Sequence, residues 1–277
     1  MSGRGRINLL LLLLVAGLGL AVWLTPPDTP PEAEPLTRLR ADSVRHIRLS
    51  NRNGTELELQ RRGDGWYMLR PYHLPANAGR IELLLGILST PSHESFPLPD
   101  GDLDAFGLQP PLATLEVDGS RIEVGGTHPY NHDRYLRIGD RIHLIKDIFP
   151  HHLLAPAEAY VSPRLLPPGA RIDAIETPAW NLRRGAAGWE YTPGTGGSQD
   201  PLVARVQAWE QARALQVIPE PEGVQTTGQV TIRLRGDASP LRFRVARRDG
   251  DLLLIRPGTG LAWRLSPQTS LLSPPGE

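Results

Sequence analysis

Residues 57–68 read LELQRRGDGWYM, and residues 180–191 read WNLRRGAAGWEY. In the first stretch Leu57 and Leu59 alternate with polar neighbours before Gly65-Trp66-Tyr67-Met68. In the second, Trp180 and Leu182 alternate in the same way before Gly188-Trp189-Glu190-Tyr191. Period-two alternation interrupted by glycine predicts an antiparallel hairpin. The flanks recur as well. Val44 and Ile47 open the first unit, Ile172 and Ile175 the second, and Asn53-Gly54 predicts a tight turn. After Trp66, Asn77 is placed to cap a helix through Ser89 with Ile81, Leu84, Leu85 and Leu88 on one face, and Phe96-Pro97 follows. After Trp189, Asp200-Pro201 offers an N-cap and first-turn pair for a helix to about Leu215, with Leu202, Val206 and Trp209 on one face. Val217-Ile218-Pro219 then parallels the segment ending at Pro97.

A further set of strands follows each copy. Gly107-Leu108-Gln109 leads to Leu115–Val117, Asp118-Gly119, Ile122–Val124, and a hairpin turning at Gly139-Asp140. Gly223-Val224-Gln225 leads to Val230–Leu234, Leu241–Val245, Asp249-Gly250, Leu252–Ile255 and Leu261–Leu265. Leu153-Leu154-Ala155-Pro156 and Leu271-Leu272-Ser273-Pro274 close the two copies. The predicted class is α+β: two tandem modules of antiparallel strands, each with one principal helix. They cover 41–158 and 169–277, with a linker over 159–168 marked by Pro163, Pro167 and Pro168. Trp66 and Trp189 take equivalent places and are assigned to the module cores, where one Trp removes about 150–250 Å² from water.

The amino terminus differs in kind. Residues 7–24 contain no charge, and Arg4 and Arg6 precede them. A helix of that length spans about 27 Å, close to the ~30 Å hydrocarbon core. Trp23 suits the far interface, and the arginines predict residues 1–6 in the cytoplasm. The competing reading is a cleaved signal peptide; Val22-Trp23-Leu24-Thr25-Pro26 offers it no small-x-small site. The chain is therefore expected at a bacterial inner membrane, anchored once over 7–24, with its body in the periplasm. Five prolines between Thr25 and Pro35 forbid a continuing helix, and 25–40 reads as a semi-rigid spacer.

The chain has 277 residues, room for two domains. Thirty basic residues balance thirty acidic ones, which argues against a nucleic-acid partner. Cysteine is absent, which excludes disulfides, thiolate metal sites, a cysteine nucleophile and a lipid anchor on cysteine. Lys146 is the only lysine and lies outside any G-x-x-x-x-G-K-[ST] loop, so ATP is not expected to bind in that way. No G-x-S-x-G elbow occurs, and Pro97 breaks the helix that a zinc-protease reading of His93-Glu94 needs.

The densest polar cluster is His128-Pro129-Tyr130-Asn131-His132-Asp133. It could gather around a divalent ion, but its proline and turn formers favour a structural loop. His151-His152 reads as a strand end with its rings on opposite faces. Tyr72-His73, between Pro71 and Pro75, offers either a ligand lip or a loop packed on its own module. Asp100, Asp102 and Asp104 lack the spacing of a calcium loop. Arg61-Arg62, Arg183-Arg184 and Arg247-Arg248 read as solvated turn rims. No catalytic, cofactor-binding or metal-ligating residue is assigned, no cofactor is expected, and the chain is read as a non-enzyme.

The Ile-x-x-Ile-like strand, the hairpin ending Asp64-Gly65-Trp66, the Pro71–Pro75 loop and the apolar helix resemble bacterial domain-of-unknown-function family 4340. Phe106-Gly107-Leu108, the strand pairs after it and the final Leu-Leu segment extend that resemblance from about Ser43 to Ser273. It implies a membrane anchor and company with an ABC-type transport system, and carries no catalytic residues. The expectation is a membrane-anchored accessory whose partners are the bilayer and a transporter permease or accessory subunit. The alternative is a periplasmic module binding a peptide, glycan or lipid in a groove between the modules.

Overall fold

The structure, a computed structural model, describes residues 11–20, 35–99, 103–194 and 198–276. A helix, α1, covers residues 11–20. The first unit then runs through β1 (His46–Asn51), β2 (Glu56–Arg62), β3 (Gly65–Arg70), β4 (Leu74–Pro75) and α2 (Ala78–Leu85). It continues with β5 (Glu94–Pro97), β6 (Ala113–Val117), β7 (Ser120–Thr127), β8 (Arg134–Ile138), β9 (Arg141–Ile145) and the single turn α3 (Pro150–Leu153). The second contains β10 (Ile172–Glu176), β11 (Asn181–Arg184), β12 (Trp189–Thr192), α4 (Gln199–Gln211) and β13 (Gln216–Pro219). It ends with β14 (Thr226–Leu234), β15 (Leu241–Arg248), β16 (Asp251–Arg256) and β17 (Leu261–Leu265).

Among the described residues these strands make two antiparallel sheets, ordered β4-β3-β2-β1-β6-β7-β8-β9-β5 and β12-β11-β10-β14-β15-β16-β17-β13. Apart from β4, the two orders are the same. In each unit a helix carries the chain from one edge of the sheet to the strand at the opposite edge. The local sequence explains the elements. Ile47 and Leu49 point inward from β1 while His46, Arg48 and Ser50 alternate outward. Asp118-Gly119 and Asp249-Gly250 have positive φ at both positions, the type I′ geometry that matches strand twist. Each sheet also has a second, smaller apolar cluster: Phe106 and Leu108 pack with Tyr135, Ile142 and Leu144, and Val224 packs with Ala246, Leu253, Ile255 and Ala262.

Several boundaries depart from the sequence reading. Asn77 caps α2 as expected, accepting from the Arg80 N–H at 3.3 Å, but Gly86–Ser89 tighten into a 3₁₀ turn. The cap of α4 is Ser198, which accepts from the Asp200 N–H at 3.3 Å, so Asp200 and Pro201 fall inside the first turn. Proline is tolerated there because the first-turn nitrogens lack intrahelical acceptors. α4 stops at Gln211, not near Leu215, because Ala212 turns extended and the chain pairs sideways: Leu165 N donates to Ala212 O at 3.2 Å and Ala214 N to Pro163 O at 2.8 Å. His151 and His152 lie in α3, not at a strand end.

The segment read as a linker over 159–168 is packed. Tyr160, Val161, Leu165 and Leu166 are buried. Asn77 N donates to Tyr160 O and Ser162 N to Pro75 O, both at 2.8 Å, while Trp263 Nε1 donates to Ser162 O at 3.1 Å. One apolar core therefore runs continuously through both sheets. Burial pushes the Tyr160 hydroxyl up to about 12, against the opposing influence of Arg80. Trp180 and Trp209 are fully buried there; Trp66 and Trp189 pack against the same core from its margin, half-buried at the hairpin ends near Arg61 and Arg184.

Two expectations concern the amino-terminal side. The spacer predicted over 25–40 is already docked at its end: Leu36 is buried, its N–H donates to Thr90 O at 2.8 Å, and Pro35 bridges Pro91. The span predicted over 7–24 is described only at residues 11–20, a helix about 15 Å long at 1.5 Å per residue. Among the described residues no helix is long and apolar enough to cross a membrane. The remainder of that span, with Trp23 and the Thr25–Glu34 prolines, lies outside the described residues.

Candidate functional site

The outward face of the first sheet carries a ladder of alternating charge. Strand register sets Arg70 opposite Glu58, Glu58 opposite Arg48, Arg48 opposite Glu116, and Glu116 opposite Arg121, across five neighbouring strands. Arg70 grips Glu58 through Nε at 2.9 Å and Nη2 at 2.7 Å. Arg48 lies between Glu58 at 3.6 Å and Glu116 at 3.5 Å. Arg121 turns to Glu123 at 2.8 Å, which also meets Arg137 at 3.2 Å. Opposite charges facing each other across strands contribute about 0.2–1 kcal/mol each. Glu58 additionally takes His46 Nε2 at 2.7 Å. Hydrogen bonds from His46 and then Arg70 hold its carboxyl below the usual carboxylate range. In the second sheet the corresponding row runs Glu190, Arg183, Ala174, Arg233, so the alternation of charge is broken at Ala174.

Loops raise this face into a groove of about 830 Å³. One wall is the β1–β2 turn from Asn53 to Glu56; another is Pro71-Tyr72, and a third is Pro156–Glu158. Side chains of the turn fasten the third wall: Asn51 Nδ2 donates to Leu153 O at 2.8 Å, Asn53 Nδ2 to Leu154 O at 3.1 Å, and Thr55 Oγ1 to Ala155 O at 3.3 Å. Tyr72 Oη donates to Glu158 Oε2 at 3.4 Å, joining the second wall to the third. Burial and then the Glu158 charge push the Tyr72 hydroxyl above its usual value. Tyr67 Oη donates to His73 O at 2.6 Å and holds the loop at a residue with φ of 50°. The groove belongs to the first sheet; every lining residue falls between Arg48 and Glu158, so it is not the groove between modules considered above.

Of the residues singled out in the sequence, Tyr72 lines this groove, and it does so as part of a packed loop. His73 is exposed beside it. The His128–Asp133 cluster does not gather as a metal site. Asp133 is turned inward with its side chain 5% exposed, and takes His93 Nδ1 at 3.1 Å, Asn131 Nδ2 at 3.1 Å and Lys146 Nζ at 3.5 Å. His128 Nδ1 accepts from the Tyr130 N–H at 3.3 Å, and its ring lies against Tyr130 and Tyr135. Among the described residues no group of three or more His, Cys, Asp or Glu side chains could hold a metal ion. Glu94 begins β5, Asp104 opens a 3₁₀ turn, and Asp100 and Asp102 lie outside the described residues. Arg183, Arg184, Arg247, Arg248 and Arg62 are exposed, and Arg61 half-buried, at their turns.

Glu158 and the ladder were missed. The outward, period-two placement of Arg48, Glu58 and Glu116 is visible in the strand sequences, but which charges face one another depends on register between strands distant in sequence.

No curated protein and no solved structure matches the chain. A sequence profile described as "Domain of unknown function (DUF4340)" matches residues 66–223, from the tryptophan of the first hairpin, through α2 and the first sheet, to the glycine before β14. That match covers more than half of the chain, and the protein belongs to the DUF4340 family.

Proposed function

We propose that the protein is a non-enzymatic accessory, held at the bacterial inner membrane by residues 7–24 and presenting its two sheets to an envelope partner, a subunit of an ABC-type transport system. The observation that carries this reading is α1. Leu11, Leu12, Leu13, Leu14, Val15, Leu18 and Leu20 each keep more than half of their surface open, and the folded body covers none of the helix. Apolar surface of that extent gains free energy in lipid, at roughly 25 cal/mol per Å² removed from water. The transport company rests on the family resemblance. Alkaline carbonate extraction together with a carboxyl-terminal reporter tests the anchor and its direction. The protein is expected in the membrane pellet, with a periplasmic reporter active and a cytoplasmic one silent. Release by carbonate, or a reporter active only in the cytoplasm, overturns the reading. Crosslinking in cells should recover transporter subunits.

The groove on the first sheet favours a second reading, a binding module. It combines an aromatic side chain with charged groups in a concave site, and its volume lies within the ~300–1,000 Å³ typical of ligand pockets.

A further inference from the structure

The charges that line the groove are not evenly satisfied. Arg70, Arg48 and Arg121 are each engaged by Glu58, Glu116 or Glu123. The lining thus sets three arginines, all already ion-paired, against four glutamates, Glu56, Glu58, Glu116 and Glu158. Glu56 and Glu158 line the same groove on two of its walls, and among the described residues neither meets a cation. Among the described residues the Glu158 carboxylate has one polar partner, the neutral Tyr72 hydroxyl at 3.4 Å. The surplus in the groove is thus negative, and it is set in a concave site with an aromatic side chain beside the carboxylate. Such a setting suits an alkylammonium or guanidinium group, which gains an ion pair and a π surface together. An anion entering the groove would compete with a glutamate for each arginine.

We infer that the groove receives a basic side chain from a peptide segment of the partner, with Glu158 as the principal counter-charge, Glu56 as the second, and Tyr72 as the surface for the alkyl chain. This deepens the accessory reading, and it names the chemistry that the partner must present. The ladder has its own part in the specificity. It fixes five strands' worth of charge in place, so that the two spare carboxylates set the sign of what enters.

The test uses the full chain in detergent micelles and calorimetric titration with an acetylated tri-lysine amide. Tri-glutamate and tri-norleucine peptides of the same length are the controls. Saturable binding of the lysine peptide is expected, weakening as salt rises from 50 to 300 mM, because the screening length, about 10 Å at 0.1 M, shortens as salt is added. Glu158→Gln should weaken it about fivefold, and the double variant Glu158→Gln with Glu56→Gln about tenfold or more, as loss of partly exposed ion pairs implies. Glu158 and Glu56 carry no fold-holding ion pair, so both variants should keep the parent's thermal midpoint. Absence of saturable binding, equal affinity for tri-glutamate, or unchanged affinity in the double variant overturns the inference. Its failure is separable from that of the accessory reading. Carbonate release with intact lysine-peptide binding removes the anchor and leaves the groove; a membrane pellet without peptide binding does the reverse.

Discussion

Trp209 offers a measure of how far the two sheets behave as one body. Its side chain is fully buried, and Nε1 donates to Leu271 O at 3.1 Å. Trp180 does the same for the neighbouring carbonyl, Leu272 O, at 2.9 Å. Trp209→Ala leaves a cavity in the shared core and should cost about 3–5 kcal/mol. Trp209→Phe keeps most of the ring volume but leaves the Leu271 carbonyl without its donor, at about 1–3 kcal/mol. With a urea slope of roughly 3 kcal/mol/M, the midpoints should fall by about 1–1.7 M and about 0.3–1 M. The assay is urea unfolding of the full chain in detergent, followed by far-UV dichroism and, separately, by tryptic cleavage at the exposed Arg62 turn in the first unit. Because one core runs through both sheets, both probes should report the same shifted midpoint, the behaviour of a cooperative two-state body. A Phe variant as unstable as the Ala variant would remove the hydrogen-bond argument. A cleavage midpoint that stays at the parent value while the dichroism moves would show that the sheets unfold independently, and the shared-core reasoning would be refuted.

Glu58→Gln should lower stability at neutral pH. Because the folded-state pKa of Glu58 is depressed, its contribution is present above the usual carboxylate range and is lost as pH falls through the depressed value. The gap between parent and variant in urea midpoint should therefore close on acidification. Asp133→Ala deprives His93, Asn131 and Lys146 of a common partner and should cost about 1–3 kcal/mol in thermal or urea unfolding. A Cβ at Gly125 would overlap the Phe106 carbonyl, so Gly125→Ala should cost about 1–3 kcal/mol, with the largest loss of amide protection around residues 103–108. Ser198→Ala removes the cap of α4 and should cost about 0.5–2 kcal/mol, whereas Asp200→Ala should cost less in the same assay.

Elements that depend on neighbours in sequence could be read directly. The hairpins around Gly65-Trp66 and Gly188-Trp189, the Asn77 cap and the two Asp-Gly turns follow from local alternation and backbone preference. What could not be read depends on long-range pairing. β5 adds to β9 and β13 to β17, each at the far edge of its sheet, and no local pattern states that partner. Pro163, Pro167 and Pro168 marked the join between the modules, but not its packing: its residues Tyr160, Val161, Leu165 and Leu166 are apolar and buried. The end of α4 was set too late because only the tertiary pairing of 163–165 with 212–214 stops it. Of the groove, Tyr72 was visible as a loop aromatic. Glu158 was not, since its significance arises from a wall fastened to a turn about one hundred residues earlier in the chain.

The docking of Pro35–Thr37 has a mechanical consequence. The chain enters the fold beside Leu88, Thr90 and Pro91, at the end of the α2 crossover, so a pull exerted from the amino-terminal side reaches the first sheet before the second. The groove sits on that same sheet. If the proposed anchor and groove binding both hold, load from the amino-terminal side and load from a bound segment would meet within the first sheet.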